Sequence, residues 1–232
     1  MNVIVTGASR GIGFAIAEIF AQHGHNLLIT SLNEVKLYKA METLQTKYSN
    51  IEIAAKAFDL SKKESATAFA EWCLQKAKPD VLVNNTGVFK PGNVLDEPEG
   101  TLESQVETNL YSAYYITRKI APAMQQQKSG HIFNICSVAG LKAYPGGGSY
   151  SISKFALIGF TKNLRQELMD YGVKVTAVIP GAVMTDSWGD FDNSQKRIME
   201  AEDVARMVYA ASQLSKGACA DEIILRPQLG DL

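Results

Sequence analysis

Short runs of β-branched and aliphatic residues alternate with stretches of helical period along the whole chain. The runs predict strands at Asn2–Thr6, Asn26–Thr30, Ile51–Phe58, Asp80–Asn85, His131–Ser137, Lys174–Pro180 and Asp221–Pro227. The first, second, fourth and sixth are almost continuously apolar, as parallel strands covered on both faces must be. Between them, Ile12, Ile16, Ile19 and Phe20 form one apolar helical face, and Val35, Leu37, Met41 and Leu44 form another. Ser61 and Glu64 have the spacing of a capping box, with Phe69, Trp72 and Cys73 turned inward behind it. Long helices are predicted from near Leu102 to about Met124 and from about Ser149 to Tyr171, the second ending at Gly172. A last helix starts near Ala201. Strand–helix–strand repetition of this kind predicts an α/β fold built on a doubly wound parallel sheet. No linker, low-complexity tract or sequence repeat interrupts the 232 residues, so a single domain is expected over the whole chain.

Composition removes several classes of function. Lys plus Arg is 23 and Asp plus Glu is 24, for a net charge of −1. No positive excess exists to grip a nucleic-acid backbone or an anionic membrane surface, so neither partner is expected. No apolar run reaches the roughly 18 residues that would cross a bilayer. Cys73, Cys136 and Cys219 are widely spaced and odd in number, which suits a reducing compartment and argues against a disulfide scaffold or a thiolate metal site. Met1-Asn2 runs straight into an apolar strand with no basic leader, so a cytoplasmic location is expected.

In open α/β sheets, ligands bind beyond the carboxyl ends of the strands. Every strand end before the last carries small or polar residues: Thr6-Gly7, Ser31, Asp59, Asn84-Asn85-Thr86-Gly87, Ser137 and Pro180-Gly181. Gly7, Gly11 and Gly13 lie in a strand-to-helix turn, where glycines let backbone N–H groups approach a pyrophosphate at the helix N-terminus. The same segment, Gly7-Ala8-Ser9-Arg10-Gly11, also spells a serine-hydrolase elbow. That reading needs a histidine, and His23, His25 and His131 all fall where they cannot meet Ser9. Tyr150 and Lys154 form an i, i+4 pair on one helix face. A cation beside a phenol stabilises the phenolate, so the pair predicts a lowered tyrosine pKa and a proton donor or acceptor usable near neutral pH. Ser137 ends a strand thirteen residues earlier, and the loop through Pro145-Gly146-Gly147-Gly148 can fold the helix start back over it.

With these residues assembled, the sequence resembles the short-chain dehydrogenase/reductases along essentially its whole length. Thr6-Gly7-(x3)-Gly11-Ile12-Gly13 matches the family's cofactor turn. Asn84-Asn85-Thr86-Gly87 matches its NNAG element, with Thr86 for the usual Ala. Asn109, Ser137, Tyr150 and Lys154 match its catalytic tetrad, and Pro180-Gly181 with Thr185 its nicotinamide loop. Ser129-Gly130-His131-Ile132-Phe133, Pro180-Gly181-Ala182-Val183 with Trp188-Gly189, and the tail Glu222–Pro227 with Gly230-Asp231 resemble the bacterial sepiapterin-reductase-like members. The 3-oxoacyl-carrier-protein reductases share the tetrad but usually close with a Thr-Gly turn and a Val-Asp-Gly-Gly stretch, which this tail lacks.

The resemblance implies a Rossmann-type domain with strand order 3-2-1-4-5-6-7 and an NADP(H)-dependent oxidoreductase acting on a small carbonyl or alcohol substrate. In that scheme Ser9, Arg10 and Ile12 join the glycines of the turn in holding the cofactor. Asp59 and Leu60 meet the adenine, while Asn85, Thr86 and Gly87 border the cofactor. Pro180, Gly181, Val183 and Thr185 hold the carboxamide. Lys154 holds the nicotinamide ribose beside Tyr150, the general acid, and Ser137 bonds the substrate oxygen. Asn109 anchors a proton-relaying water.

Ser31 stands where NAD-preferring members carry an Asp for the ribose 2′-OH. Arg10 stands where NADP-preferring members carry a basic residue, so NADP(H) is expected over NAD(H). Substrate loops are expected at Val88–Leu102, Val138–Ser149 and Asp186–Met199, with Trp188 and Phe191 in the last as ring-stacking candidates. Tyr111, Tyr114 and Tyr115 are expected to pack helices or an interface, in a homodimer or homotetramer. A non-catalytic dinucleotide sensor on the same fold is the alternative.

Overall fold

The computed structural model describes residues 1–231, apart from the side chain of Ser187. Seven parallel strands form one sheet in the order β3-β2-β1-β4-β5-β6-β7. They are β1 (Asn2–Thr6), β2 (Asn26–Thr30), β3 (Ile53–Ala55), β4 (Val81–Asn84), β5 (Gly130–Ile135), β6 (Val173–Pro180) and β7 (Glu222–Leu225). The helices between them are α1 (Gly11–Gln22), α2 (Glu34–Lys47), α3 (Lys63–Lys76), α4 (Thr101–Val106), α5 (Ser112–Gln127), α6 (Gly148–Leu168) and α7 (Ala201–Ser212).

Alternation along the strands sorts the core into two layers. Val3, Val5, Leu27 and Ile29 pack against Ile16 and Phe20 of α1, Leu37 and Leu44 of α2, and Val204 and Val208 of α7. Ile4, Leu28, Leu82, Ile132 and Val175 point to the other face, against Phe69 and Cys73 of α3, Ile116 and Ile120 of α5, and Leu164 and Leu168 of α6. This is the period-two consequence of near-continuous apolar strands: each neighbour serves the opposite layer.

Four local expectations change. The third strand shrinks to Ile53–Ala55, because it is an edge strand that pairs only with β2. The Ser61 capping box does not form: Lys62 occupies the N-cap without a side-chain bond. Ser61 instead donates its N–H and hydroxyl to Asp59 Oδ1, at 3.1 and 2.7 Å. The helix expected over Leu102–Met124 is split by a π-helical segment, Glu107–Tyr111, centred on Asn109. The Ser149 helix begins one residue earlier than expected, passes through a 3-10 turn at Met169–Tyr171, and stops at Gly172, whose φ is +69°.

A buried polar seam crosses the sheet. Asn84 Nδ2 donates to Thr117 Oγ1 and Asn134 Oδ1, and Asn134 Nδ2 donates to Thr161 Oγ1. These bonds fix α5 and α6 against β4 and β5, and so fix the helix that carries Tyr150 and Lys154.

Candidate active site

A cleft of about 1010 Å³ lies beyond the carboxyl ends of the strands. It is lined by Gly7, Ser9, Arg10, Gly11, Ile12, Ser31, Asp59, Leu60, Asn85, Thr86, Gly87, Ser137, Tyr150, Lys154, Pro180, Gly181, Val183 and Thr185. Of the catalytic and cofactor residues nominated from sequence, Gly13 and Asn109 do not line it. A Cβ on Gly13 would stand 2.3 Å from the Gly7 carbonyl oxygen, so that glycine serves to close helix against turn. Asn109 lies behind the cleft wall.

The turn after β1 is clamped to the end of β4. Thr6 Oγ1 accepts from the backbone N–H of Asn85 and Thr86, at 2.9 and 3.0 Å. Asn85 Nδ2 donates back to the carbonyls of Thr6 and Gly7, at 2.9 and 3.2 Å. Gly7 adopts a φ of +64°, which takes the chain into α1. That helix has no side-chain cap and no acid in its first turn. The first N–H groups of any helix lack helical acceptors and can hold an anion, and here Gly11 and Ile12 at that start line the cleft. Thr86 Oγ1 is buried without a hydrogen-bond partner, a polar atom suited to a ligand in the cleft.

At the far edge, Ser9 Oγ and Ser31 Oγ are 2.9 Å apart. Arg10 is ion-paired with Asp186, in the segment after β6. The histidines stay away from Ser9: His131 bonds Thr176, His23 bonds the Ile19 carbonyl and His25 meets the chain amine. The hydrolase geometry is thereby absent.

Ser137 follows β5, while Tyr150 and Lys154 share one face of α6. The Ser137 hydroxyl lies on the Tyr150 side of the cleft and favours the phenolate, yet burial dominates and raises the Tyr150 pKa. The lowered pKa expected from the lysine does not follow in this state of the chain. Lys154 Nζ stands 5.7 Å from the centre of the phenol ring and donates to the Ile135 carbonyl at 2.9 Å. Its burial pulls its own pKa down to about 8, because a low-dielectric site disfavours the ammonium.

Asn109 holds the wall behind them. Its Oδ1 accepts from Val88 N at 2.7 Å, and its Nδ2 donates to Val88 O and Ser153 Oγ, at 3.0 and 2.9 Å. The side chain thereby fixes the loop after β4 to α6.

Residues that the sequence placed only within broad loops, or in the tail without a role, complete the cleft wall. Phe89, Lys142, Tyr144, Asp186, Arg226 and Asp231 line the cleft, and the Phe89 ring meets Tyr150 edge-on at 4.9 Å. Phe89 lies two residues past Gly87, and an aromatic so close to a strand end was the available signal. Arg226 is ion-paired with Asp231, so the tail closes one side. Of the two lid aromatics, Trp188 lines the cleft, whereas Phe191 packs on Trp188 at 5.2 Å and stays outside it.

The short chain dehydrogenase family model matches residues 1–196. A sepiapterin reductase of Chlorobaculum tepidum is 32% identical over 239 residues, covering 99% of this chain and 97% of its own. A 3-oxoacyl-[acyl-carrier-protein] reductase of Chlamydia muridarum is 35% identical over 184 residues, covering 79% of this chain and 74% of its own. The crystal structure of a metagenomic short-chain oxidoreductase in complex with NADP superposes with a TM-score of 0.86 at 32% identity, over 98% of this chain and 97% of that one. With the match running through β1 to β6 and the strand order in agreement, the chain belongs to the short-chain dehydrogenases, a family of oxidoreductases.

Proposed function

We propose that the protein is an NADP(H)-dependent carbonyl reductase in which Tyr150 delivers and recovers the proton. The observation that carries this reading is the convergence of Ser137, Tyr150 and buried Lys154 on one wall of the cleft that also holds the glycine turn. The uncapped start of α1 and the unpartnered Thr86 hydroxyl fit a dinucleotide. When bound, the nicotinamide supplies or accepts the hydride.

The chain's own residues do the rest. The turn from Gly7 to Ile12 receives the pyrophosphate, and Asp59 and Leu60 flank the adenine. Asn85, Thr86 and Gly87 border the cofactor's path across the strand ends. Pro180, Gly181, Val183 and Thr185 orient the carboxamide, and Lys154 takes the adjoining ribose hydroxyls. Ser137 donates to the substrate oxygen and Tyr150 gives that oxygen its proton. Burial keeps the phenol protonated at neutral pH, which suits the reducing direction. Asn109 contributes by holding Val88 and Ser153.

Phe89, Val138, Ala143, Tyr144 and Trp188 give the substrate side an apolar and aromatic wall. A carbonyl on a flat or apolar body fits it better than a small hydroxy acid. Tyr111, Ile152 and Phe155, at 43%, 43% and 46% exposure, leave apolar groups on the outer faces of the π segment and α6, consistent with a homodimer or homotetramer. An NADPH-oxidation screen over pterins, diketones, 3-oxoacyl thioesters, steroids and sugars tests the reading. Turnover of one class supports it; tight NADPH binding with no turnover of any class would make the protein a dinucleotide sensor instead.

A further inference from the structure

The helix that presents Tyr150 starts without a cap of its own. Gly147 stands at the N-cap of α6 with no side-chain bond, and the first turn contains no acid. The carboxylate serving this end comes from 52 residues upstream, on the loop after β4. Glu97 Oε1 accepts from the Ser149 hydroxyl, and Glu97 Oε2 accepts from the Ser149 N–H at 3.3 Å. Ser149 is fully buried and immediately precedes Tyr150.

The surrounding backbone is shaped for this approach. A Cβ on Gly148 would stand 2.9 Å from Glu97 Oε2 and 2.5 Å from the Gly92 carbonyl oxygen. Gly92 N donates to Gly146 O at 3.0 Å, and Gly146 N donates to Asn93 Oδ1 at 3.2 Å. Glu97 N in turn bonds Asn93 O at 2.9 Å, which closes the loop on itself. Neither Glu97 nor Ser149 lines the cleft.

We infer that Glu97 is a positioning residue for Tyr150: by clasping Ser149 it fixes the first turn of α6, and with it the place of the phenol against Ser137. The clasp also ties the loop bearing Phe89 to the turn bearing Tyr150, so the substrate wall and the proton donor move as one body. A carboxylate suits the task because it makes charge-assisted bonds to a helix N-terminus, where the macrodipole favours an anion. The inference rests on the reading of Tyr150 as the proton donor. Proton transfer is steep in geometry, since a displacement of about 1 Å can cost about 100-fold in rate.

The test uses the full chain and the carbonyl substrate found by the screen. Glu97→Ala and Ser149→Ala should each lower kcat by about 10–100-fold, with NADPH affinity unchanged. The double variant should fall no further than Glu97→Ala alone, because the hydroxyl bond lost in Ser149→Ala is already lost there. Glu97→Gln keeps an acceptor oxygen at the same reach and should recover most of kcat. Ser149→Ala removes a single hydroxyl and keeps the question open should Glu97→Ala fold poorly. Wild-type kcat in Ser149→Ala, multiplicative losses in the double variant, or a Glu97→Gln as impaired as Glu97→Ala would each overturn the inference. Tyr150→Phe assayed in parallel separates the two layers. If it keeps the wild-type rate, the underlying reading fails; if it alone is impaired, only the role of Glu97 fails.

Discussion

Arg10 and Asp186 form an ion pair that links the glycine turn after β1 to the segment after β6, with side chains 56% and 58% exposed. The guanidinium expected to meet a 2′-phosphate therefore has an acid partner at the cleft edge. An exposed pair of this kind is worth about 0–1 kcal/mol, so a phosphate can displace it at small cost. Asp186→Asn should tighten NADPH binding by up to about fivefold and leave NADH unchanged. Fluorescence titration with both cofactors decides it, and an equal gain for NADH would place the effect of Asp186 elsewhere.

Cofactor choice follows from the same corner. Wild type should favour NADPH over NADH by about 5–150-fold in kcat/KM, as one phosphate-facing ion pair of about 1–3 kcal/mol implies. Arg10→Ala should erase most of that preference. Ser31→Asp should reverse it, since a carboxylate there repels a 2′-phosphate and accepts from a 2′-OH. Equal efficiency with both cofactors in wild type would show that Arg10 stays with Asp186 when the cofactor binds.

Tyr150→Phe should lower kcat by about 10²–10⁴, the range for a general acid, with NADPH affinity nearly unchanged. Retention of more than about half the wild-type rate would remove Tyr150 from the chemistry.

Lys154 carries a stability signature as well as a catalytic one. Its folded pKa, about 8, lies below the ordinary lysine value of 10.5. The fold therefore opposes the ammonium below pH 8 and is relieved as pH rises toward 10.5. Relative to Lys154→Met, the cofactor-free wild type should gain up to about 3 kcal/mol across that interval. Denaturant curves at several pH values measure the difference. A constant difference would mean that the ammonium is well solvated by the cleft. In activity, the methionine variant should lose cofactor affinity and rate.

His131 sets an acid limit. Its Nε2 lies 2.7 Å from Thr176 Oγ1, which itself donates to Ala220 O, so Nε2 carries the proton. Nδ1 is buried with no partner, and burial holds the pKa near about 3. The unfolded chain takes up that proton from about pH 6.5 downward, so folding stability should fall between pH 6.5 and 3. Replacing His131 with Gln should flatten that slope in acid unfolding; an unchanged slope would assign it to carboxylates.

Where one segment alone decides the outcome, the sequence sufficed. Asn2–Thr6 and Asn26–Thr30 have the predicted strand bounds, because each is a β-branched or aliphatic run ended by a residue that must turn. The grouping of the proposed trio was legible too: Ser137 was read just past a strand, Tyr150 and Lys154 are one helical turn apart, and all three line the cleft. Tertiary structure decided whatever depends on partners far along the chain. Burial outweighs the neighbouring cation in setting the Tyr150 pKa, since desolvation depends on everything packed around the phenol. Arg10 meets Asp186, 176 residues away, and Glu97 meets Ser149 across 52. Periodicity and spacing report which face a residue takes within its own element. Which loop arrives opposite that face is set by the strand order and by the packing of the sheet's two layers.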